Sequence, residues 1–280
     1  MKICEAEGLT KHYPAFTLDG VSFALESGRI VGFIGRNGAG KSTTLGAMLG
    51  FVHPDAGKAR FFGLDFDGSE SEIKQRIGYV AGGVDYYPTK KLKTITSVTK
   101  SFYKNWNDAA YNEYVKMFAL DENKTPAQLS AGMKVKYSLA LALSHRAELL
   151  ILDEPTSGLD PVSRDDLLDV FMSLSDRGVT IFFSTHITTD LDKCADDIVY
   201  IKNGRIIAQD KLKSFTDGYR LLELTDDAAS ALGGVLIGLK RSKEGHSAII
   251  RTSDTAAAQA IGVSPQICGL EDIMVHIEKE

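Results

Sequence analysis

Eight consecutive residues, Gly35-Arg36-Asn37-Gly38-Ala39-Gly40-Lys41-Ser42, follow the spacing G-x-x-x-x-G-K-[ST]. Glycines so placed let successive backbone N–H groups turn inward around a polyphosphate. A helix starting at the lysine directs the positive end of its dipole at the same anion. Lys41 is expected to reach the β- and γ-phosphates, and the Ser42 hydroxyl to ligate Mg²⁺. At ordinary residue frequencies the four fixed positions arise by chance in roughly one chain in a hundred of this length. The apolar run at 30–34 before the segment and the helical stretch after it supply the context that the motif requires. Contacts to a nucleoside triphosphate are therefore assigned to Gly35, Asn37, Gly38, Ala39, Gly40, Lys41, Ser42 and Thr43.

Two further groups stand where buried strands are expected to end. Asp153 and Glu154 follow the apolar run 149–152, and Ser184-Thr185-His186 follows the run 179–183. In an open parallel α/β sheet, ligands bind beyond the carboxyl ends of the strands. Asp153 is suited to hold a hydrated Mg²⁺, and Glu154 to polarise an attacking water as general base. His186 is expected to contact the γ-phosphate and that water. Taken alone, Asp-Glu-Pro could be a solvated strand terminus and His186 a hydrogen-bonded core histidine; the phosphate loop upstream favours the chemical reading of both.

The elements that must position these residues follow from pattern. Short strands are expected at 3–6, 21–25, 30–34 and 59–62, punctuated by glycines. Helical spacing marks 104–120 and 134–144, the latter with Val135, Leu139, Ala142 and Leu143 on one face. Runs 149–152 and 179–183, with a helical 164–176 between them, are apolar on both faces. That is the pattern of central strands in a parallel sheet covered by helices. Residues 198–202, Asn203-Gly204 and 205–208 read as a hairpin with a type I′ turn. The remainder reads as a small α+β unit, with strands at 219–224, 235–241 and 246–251 and helices at 226–232, 255–261 and 270–278. No catalytic constellation is evident there.

Composition sets the limits. The chain has 280 residues, 44% apolar and 25% charged, which excludes disorder and fibrous repeats. A chain this long buries about 75% of its unfolded surface without disulfides or a structural metal. Cys4, Cys194 and Cys268 are scattered and odd in number, which suggests a reducing compartment. A formal net charge of −5 speaks against nucleic-acid binding. No stretch approaches 18 uninterrupted apolar residues and the start lacks an export signal pattern, so any membrane-spanning helices are expected on another polypeptide.

Taken together, residues 3–212 resemble the nucleotide-binding subunit of ABC transporters. The resemblance implies an α/β P-loop NTPase core with a mainly parallel sheet, an N-terminal antiparallel β subdomain and a helical subdomain at about 86–146. These would make an ATP-binding domain over 1–213, followed by a small α+β accessory domain over 214–280. By the resemblance 35–42 is the Walker A loop, 149–153 the Walker B strand, Glu154 the catalytic glutamate and His186 the switch histidine. Residues 157–160 resemble the D-loop, ending in Asp160, and Tyr13 resembles the aromatic residue that stacks on adenine, which implies ATP. The segment 129–133 resembles the LSGGQ signature that completes the partner's ATP site in a head-to-tail dimer. Ser130 and Gly132 keep the signature; Ala131 and Met133 depart from it. Where family members carry a glutamine after the strand ending at Val80, this chain has Gly82. Coupling is then expected to depend on 84–89, with Tyr86 and Tyr87 either contacts for a partner helix or packing within the loop.

Phe102 to Asn107, the altered signature and the C-terminal unit together resemble the ABC-2 type antibiotic and bacteriocin exporters. The implied protein is a cytoplasmic ATPase subunit, peripheral on the inner face of the membrane, driving a separately encoded permease. Two other readings stay open: a soluble ABC-type ATPase of translation or DNA repair, which usually carries two such domains or long coiled-coil insertions, and a nucleotide-gated regulator of low turnover.

Overall fold

The computed structural model describes residues 1–81, 87–242 and 245–280. Gly82 and Tyr86 lie outside the described residues. The chain divides into two compact units, one comprising Met1–His186 and Lys193–Gln209, the other Ile187–Asp192 and Asp210–Glu280.

In chain order the elements up to the hairpin are β1 (Lys2–Tyr13), β2 (Phe16–Glu26), β3 (Ile30–Ile34), α1 (Lys41–Met48), β4 (Ala56–Phe61), β5 (Leu64–Asp65), α2 (Phe66–Lys74), β6 (Ile77–Ala81), α3 (Leu92–Lys100), α4 (Asp108–Met117), α5 (Ala131–Ser144), β7 (Leu149–Asp153), α6 (Pro161–Asp176), β8 (Thr180–Thr185), α7 (Thr188–Cys194), β9 (Asp197–Lys202) and β10 (Arg205–Lys211). A six-stranded sheet has the order β10-β9-β3-β8-β7-β6. Its inner pairings, β9 with β3, β3 with β8, β8 with β7 and β7 with β6, are parallel. Every residue of β3 and β8 is buried, as continuous hydrophobicity requires of strands covered on both faces.

A second sheet, β2-β1-β4-β5, is antiparallel. Phe23 from this sheet packs on Phe33 and Phe182 of the parallel sheet, with ring centroids 5.8 and 5.4 Å away, so the two sheets share one core. The β9–β10 connection adopts the expected turn, with φ of 49° at Asn203 and 78° at Gly204. It also steadies the phosphate loop, because Gly204 N donates to Ala39 O at 2.9 Å.

Helices α3, α4 and α5 are tied by a buried hydroxyl cluster. Thr96 Oγ1 lies 2.8 Å from the Tyr111 hydroxyl and 2.9 Å from that of Tyr137, which donates to Leu92 O at 3.0 Å. The helix expected at 104–120 is shorter at both ends. Asn107 caps its start by accepting from Ala110 N at 3.1 Å, and Ala119, at φ 50°, turns the chain away. Helix α3 was not anticipated, since its buried face is only Leu92, Ile95 and Thr96 among lysines and threonines.

The second unit contains α8 (Leu212–Asp217), β11 (Tyr219–Leu224), α9 (Asp226–Leu232), β12 (Ile237–Ser242), β13 (Gly245–Arg251), α10 (Thr255–Ala260), β14 (Gln266–Ile267) and α11 (Leu270–Ile277). Its antiparallel sheet, β12-β13-β11-β14, buries Leu222, Leu224, Ala248 and Ile250 against Ala229, Leu232 and Ala258.

Candidate nucleotide-binding site

Register explains why distant residues meet. Ile34 pairs with Thr185, and Asp153 with Ser184, in neighbouring parallel strands. Gly35, Glu154 and His186 therefore leave the sheet at the same edge. There a cleft of about 350 Å³ is lined by Phe16, Arg36, Asn37, Gly38, Gly40, Lys41, Ser42, Thr43 and Glu154.

The loop is shaped for a close-fitting anion. Gly40 has φ 113°, a conformation open to glycine, and ends the loop at α1. No side chain caps α1, so its first-turn amides are left for a ligand. Gly35 packs so tightly that a Cβ would stand 2.4 Å from Ile201 O.

Lys41 is 5% exposed. Its Nζ donates to Gly35 O at 2.7 Å and stands 3.2 Å from Glu154 Oε1. The other Glu154 oxygen lies 2.9 Å from His186 Nδ1, so one carboxylate bridges the loop lysine and the histidine. Glu154 sits at φ 49°, a left-handed conformation uncommon for a non-glycine residue. Ser184 Oγ donates to Asp153 Oδ1 at 2.5 Å and accepts from Glu154 N at 2.9 Å, which fixes the adjacent carboxylates relative to each other. Burial first, and then the Asp153 charge, push the Tyr79 phenol above its ordinary pKa.

The other expected site residues lie elsewhere. Tyr13, at the end of β1, is 41% exposed and its ring stacks beside Phe16 at 6.5 Å. Phe16, not Tyr13, lines the cleft. Ser130 caps α5 by accepting from Met133 N at 3.3 Å, and Gly132 is buried in the first turn of that helix. Asp160 caps α6, accepting from Val162 N at 3.1 Å and Ser163 N at 3.0 Å; hydrogen bonding to Ser163 leads the causes that lower its carboxyl pKa. None of Tyr13, Ser130, Gly132 and Asp160 lines the cleft among the described residues. Sequence reasoning passed over Phe16 and the ordering role of Ser184. An aromatic residue three positions after Tyr13 was the available signal for the first; no motif marks the second.

A parallel sheet with a phosphate loop between β3 and α1, and carboxylates at the end of β7 with β8 between the two strands, defines a P-loop nucleoside triphosphatase. Comparison with known proteins narrows the class. The ABC transporter family model matches residues 18–157. The bacitracin transport ATP-binding protein BcrA of Bacillus licheniformis is 32% identical over 231 residues, spanning 80% of this chain and 76% of that one. The linearmycin resistance ATP-binding protein LnrL of Bacillus subtilis (strain 168) is 32% identical over 231 residues, 79% of this chain and 74% of that one. A solved ATP-binding subunit of an ABC transporter superposes with a TM-score of 0.67 at 27% identity, covering 82% of this chain and 93% of that one. The chain belongs to the ABC transporter family, as an ATP-binding subunit with ATPase activity.

Proposed function

We propose that this chain hydrolyses ATP to drive a separately encoded membrane permease, in an exporter of the ABC-2 type. Residues 1–213 would be the ATPase and 214–280 an accessory domain. The observation that carries the reading is the meeting of Lys41, Glu154 and His186, with Asp153 beside them, at one end of the parallel sheet. The relatives' names, bacitracin transport and linearmycin resistance, support the direction of transport. No helix among the described residues is long and apolar enough to cross a membrane. A cytoplasmic subunit held at the membrane by its permease accords with that.

In this reading the loop from Gly35 through Asn37, Gly38, Ala39 and Gly40 to Thr43 wraps the phosphates with its amides. Lys41 leaves Gly35 O and Glu154 for the β- and γ-phosphates. The Ser42 hydroxyl and the Asp153 carboxylate are the oxygen donors that would hold a Mg²⁺ travelling with ATP, and the ion would neutralise phosphate charge. Glu154 orients the attacking water and accepts its proton, while His186 holds the carboxylate and faces the γ-phosphate. Positioning and electrostatics carry most of the rate. Phe16, with Tyr13 stacked beside it, receives the adenine. Ser130 and Gly132 at the start of α5 serve the ATP of a second copy arranged head to tail, where Asp160 also lies at the interface.

For the permease, an apolar cleft of about 540 Å³ involving Tyr87, Thr94, Ile95, Val98, Phe102 and Tyr103 offers a seat for a short helix. Tyr87 is 61% exposed there. The test is steady-state phosphate release by the purified chain, alone and reconstituted with its permease. Turnover that rises on reconstitution is expected. Release that stays near zero in both cases would favour the gated regulator, for which the Ala131 and Met133 departures would then account.

A further inference from the structure

Residues 87–107 contain five lysines, Lys90, Lys91, Lys93, Lys100 and Lys104, and no carboxylate, within a chain of formal net charge −5. The remainder of the chain thus carries a formal −10. All five lysines are exposed. Helix α3 turns Leu92, Ile95 and Thr96 inward, which leaves its lysines on the solvent side. Backbone hydrogen bonds from Leu92 N to Lys124 O at 2.9 Å and from Lys93 N to Glu122 O at 3.1 Å bring exposed Lys124 alongside.

What sets these lysines apart is their density, since exposed Lys116, Lys211, Lys213, Lys240 and Lys279 likewise have no carboxylate within ion-pair reach among the described residues, while others are paired. Lys11, Lys74 and Lys193 are each answered by a carboxylate. On this face Lys100 pairs with Asp108 at 2.5 Å, and Lys93 Nζ donates to Asn123 Oδ1 at 3.0 Å. The Glu122 carboxylate accepts from the Tyr111 hydroxyl at 3.0 Å. Among the described residues, no carboxylate stands within ion-pair reach of Lys90, Lys91, Lys104 or Lys124. The cations are distributed along three connections and a helix, and of them Lys90 lines the apolar cleft described above. Such a spread suits a flat polyanion better than a single phosphate group or one acidic helix.

We propose that this lysine face binds the anionic headgroups of a lipid bilayer, holding the subunit against the membrane beside the cleft assigned to the permease. A negatively charged leaflet attracts nearby lysines, each strengthening binding by about fivefold, and salt screens the attraction. The experiment uses the full chain without permease, sedimented with vesicles of phosphatidylcholine alone or mixed with phosphatidylglycerol. Binding to the mixed vesicles is expected to be at least about a hundredfold tighter, roughly three lysines' worth, and to weaken in high salt. The triple variant K91E/K104E/K124E should bind them about a hundredfold more weakly while hydrolysing ATP at the wild-type rate, which reports an intact fold. Equal binding to both vesicle types, binding to neither, or a triple variant that binds as wild type overturns the proposal. A triple variant that instead dissociates from detergent-solubilised permease, where wild type ignores phosphatidylglycerol, also overturns it and assigns these lysines to an acidic protein segment.

Discussion

Lys41 Nζ stands 3.2 Å from Glu154 Oε1, so the residue proposed to grip phosphate is paired with the residue proposed to activate water. A polyphosphate entering the loop competes with that carboxylate for the ammonium, and frees it as it wins. The variant Glu154→Gln keeps the side chain's shape and removes the competing charge. Its ATP should bind more tightly while hydrolysis falls by at least about a hundredfold, and an ATP-bound dimer should accumulate on size-exclusion chromatography. Wild-type phosphate release from the variant would remove Glu154 from the chemistry.

Two glycines, one in the phosphate loop and one in the first turn of α5, should respond differently to one added methyl. At Gly35 the new Cβ would meet Ile201 O at 2.4 Å and Ile201 Cγ2 at 2.9 Å, so the loop must move off β9. Gly35→Ala is expected to cost about 1–3 kcal/mol by overpacking, and to weaken nucleotide binding as the loop shifts. At Gly132 the nearest atoms would lie at 3.6 Å or beyond, which is ordinary contact. Gly132→Ala should leave the stability of the isolated chain nearly unchanged. Urea denaturation of both variants checks the contrast.

The central sheet was legible because burial on both faces leaves no alternation: β3 has the expected bounds, β7 runs one residue past the expected end, and β8 starts one residue later and ends two residues later than expected. The hairpin was legible because Asn-Gly can satisfy two positive φ angles. Helix α3 was not, because a nine-residue helix that buries one narrow edge leaves little period among its lysines and threonines. Helix α7, with seven residues, is similarly short for a periodic signal. In the site, motif spacing located Lys41, Asp153 and Glu154, whereas Phe16 reaches the cleft through the pairing of Tyr13 with Phe16 at the β1–β2 turn. Pairing across a turn depends on which residues fold back, and spacing along the chain does not record it.

That turn leads to a test of base recognition. Tyr13 and Phe16 stack on each other at 6.5 Å, with ring planes 28° apart, but Phe16 is the one that lines the cleft. A base–aromatic stack is worth about 1–3 kcal/mol by alanine substitution. Phe16→Ala should therefore weaken ATP binding by roughly fivefold to a hundredfold, measured by nucleotide titration. If Tyr13→Ala weakens it as much and Phe16→Ala does not, the adenine seat lies on the outer face of the pair.

His145 sets a pH dependence of stability. Its ring is 2% exposed, stacks on Tyr103 with centroids 3.7 Å apart, and places Nδ1 3.2 Å from Gln75 O. Burial is the main cause that lowers its pKa to about 4, against an ordinary value of 6.5; the carbonyl of Gln75 pulls weakly the other way. The unfolded chain therefore takes up a proton at higher pH than the folded one. The stabilisation from a neutral His145 is fully present above about pH 6.5 and is lost progressively as pH falls toward 4. The loss reaches about 2 kcal/mol at pH 5 by linkage. Replacing the ring with an amide that does not titrate, in His145→Gln, should lower stability at neutral pH by removing the Tyr103 stack. It should also flatten the change between pH 7 and pH 5 by about that 2 kcal/mol. Urea midpoints of wild type and variant at the two pH values measure the difference; parallel losses in both would assign the acid sensitivity to other groups.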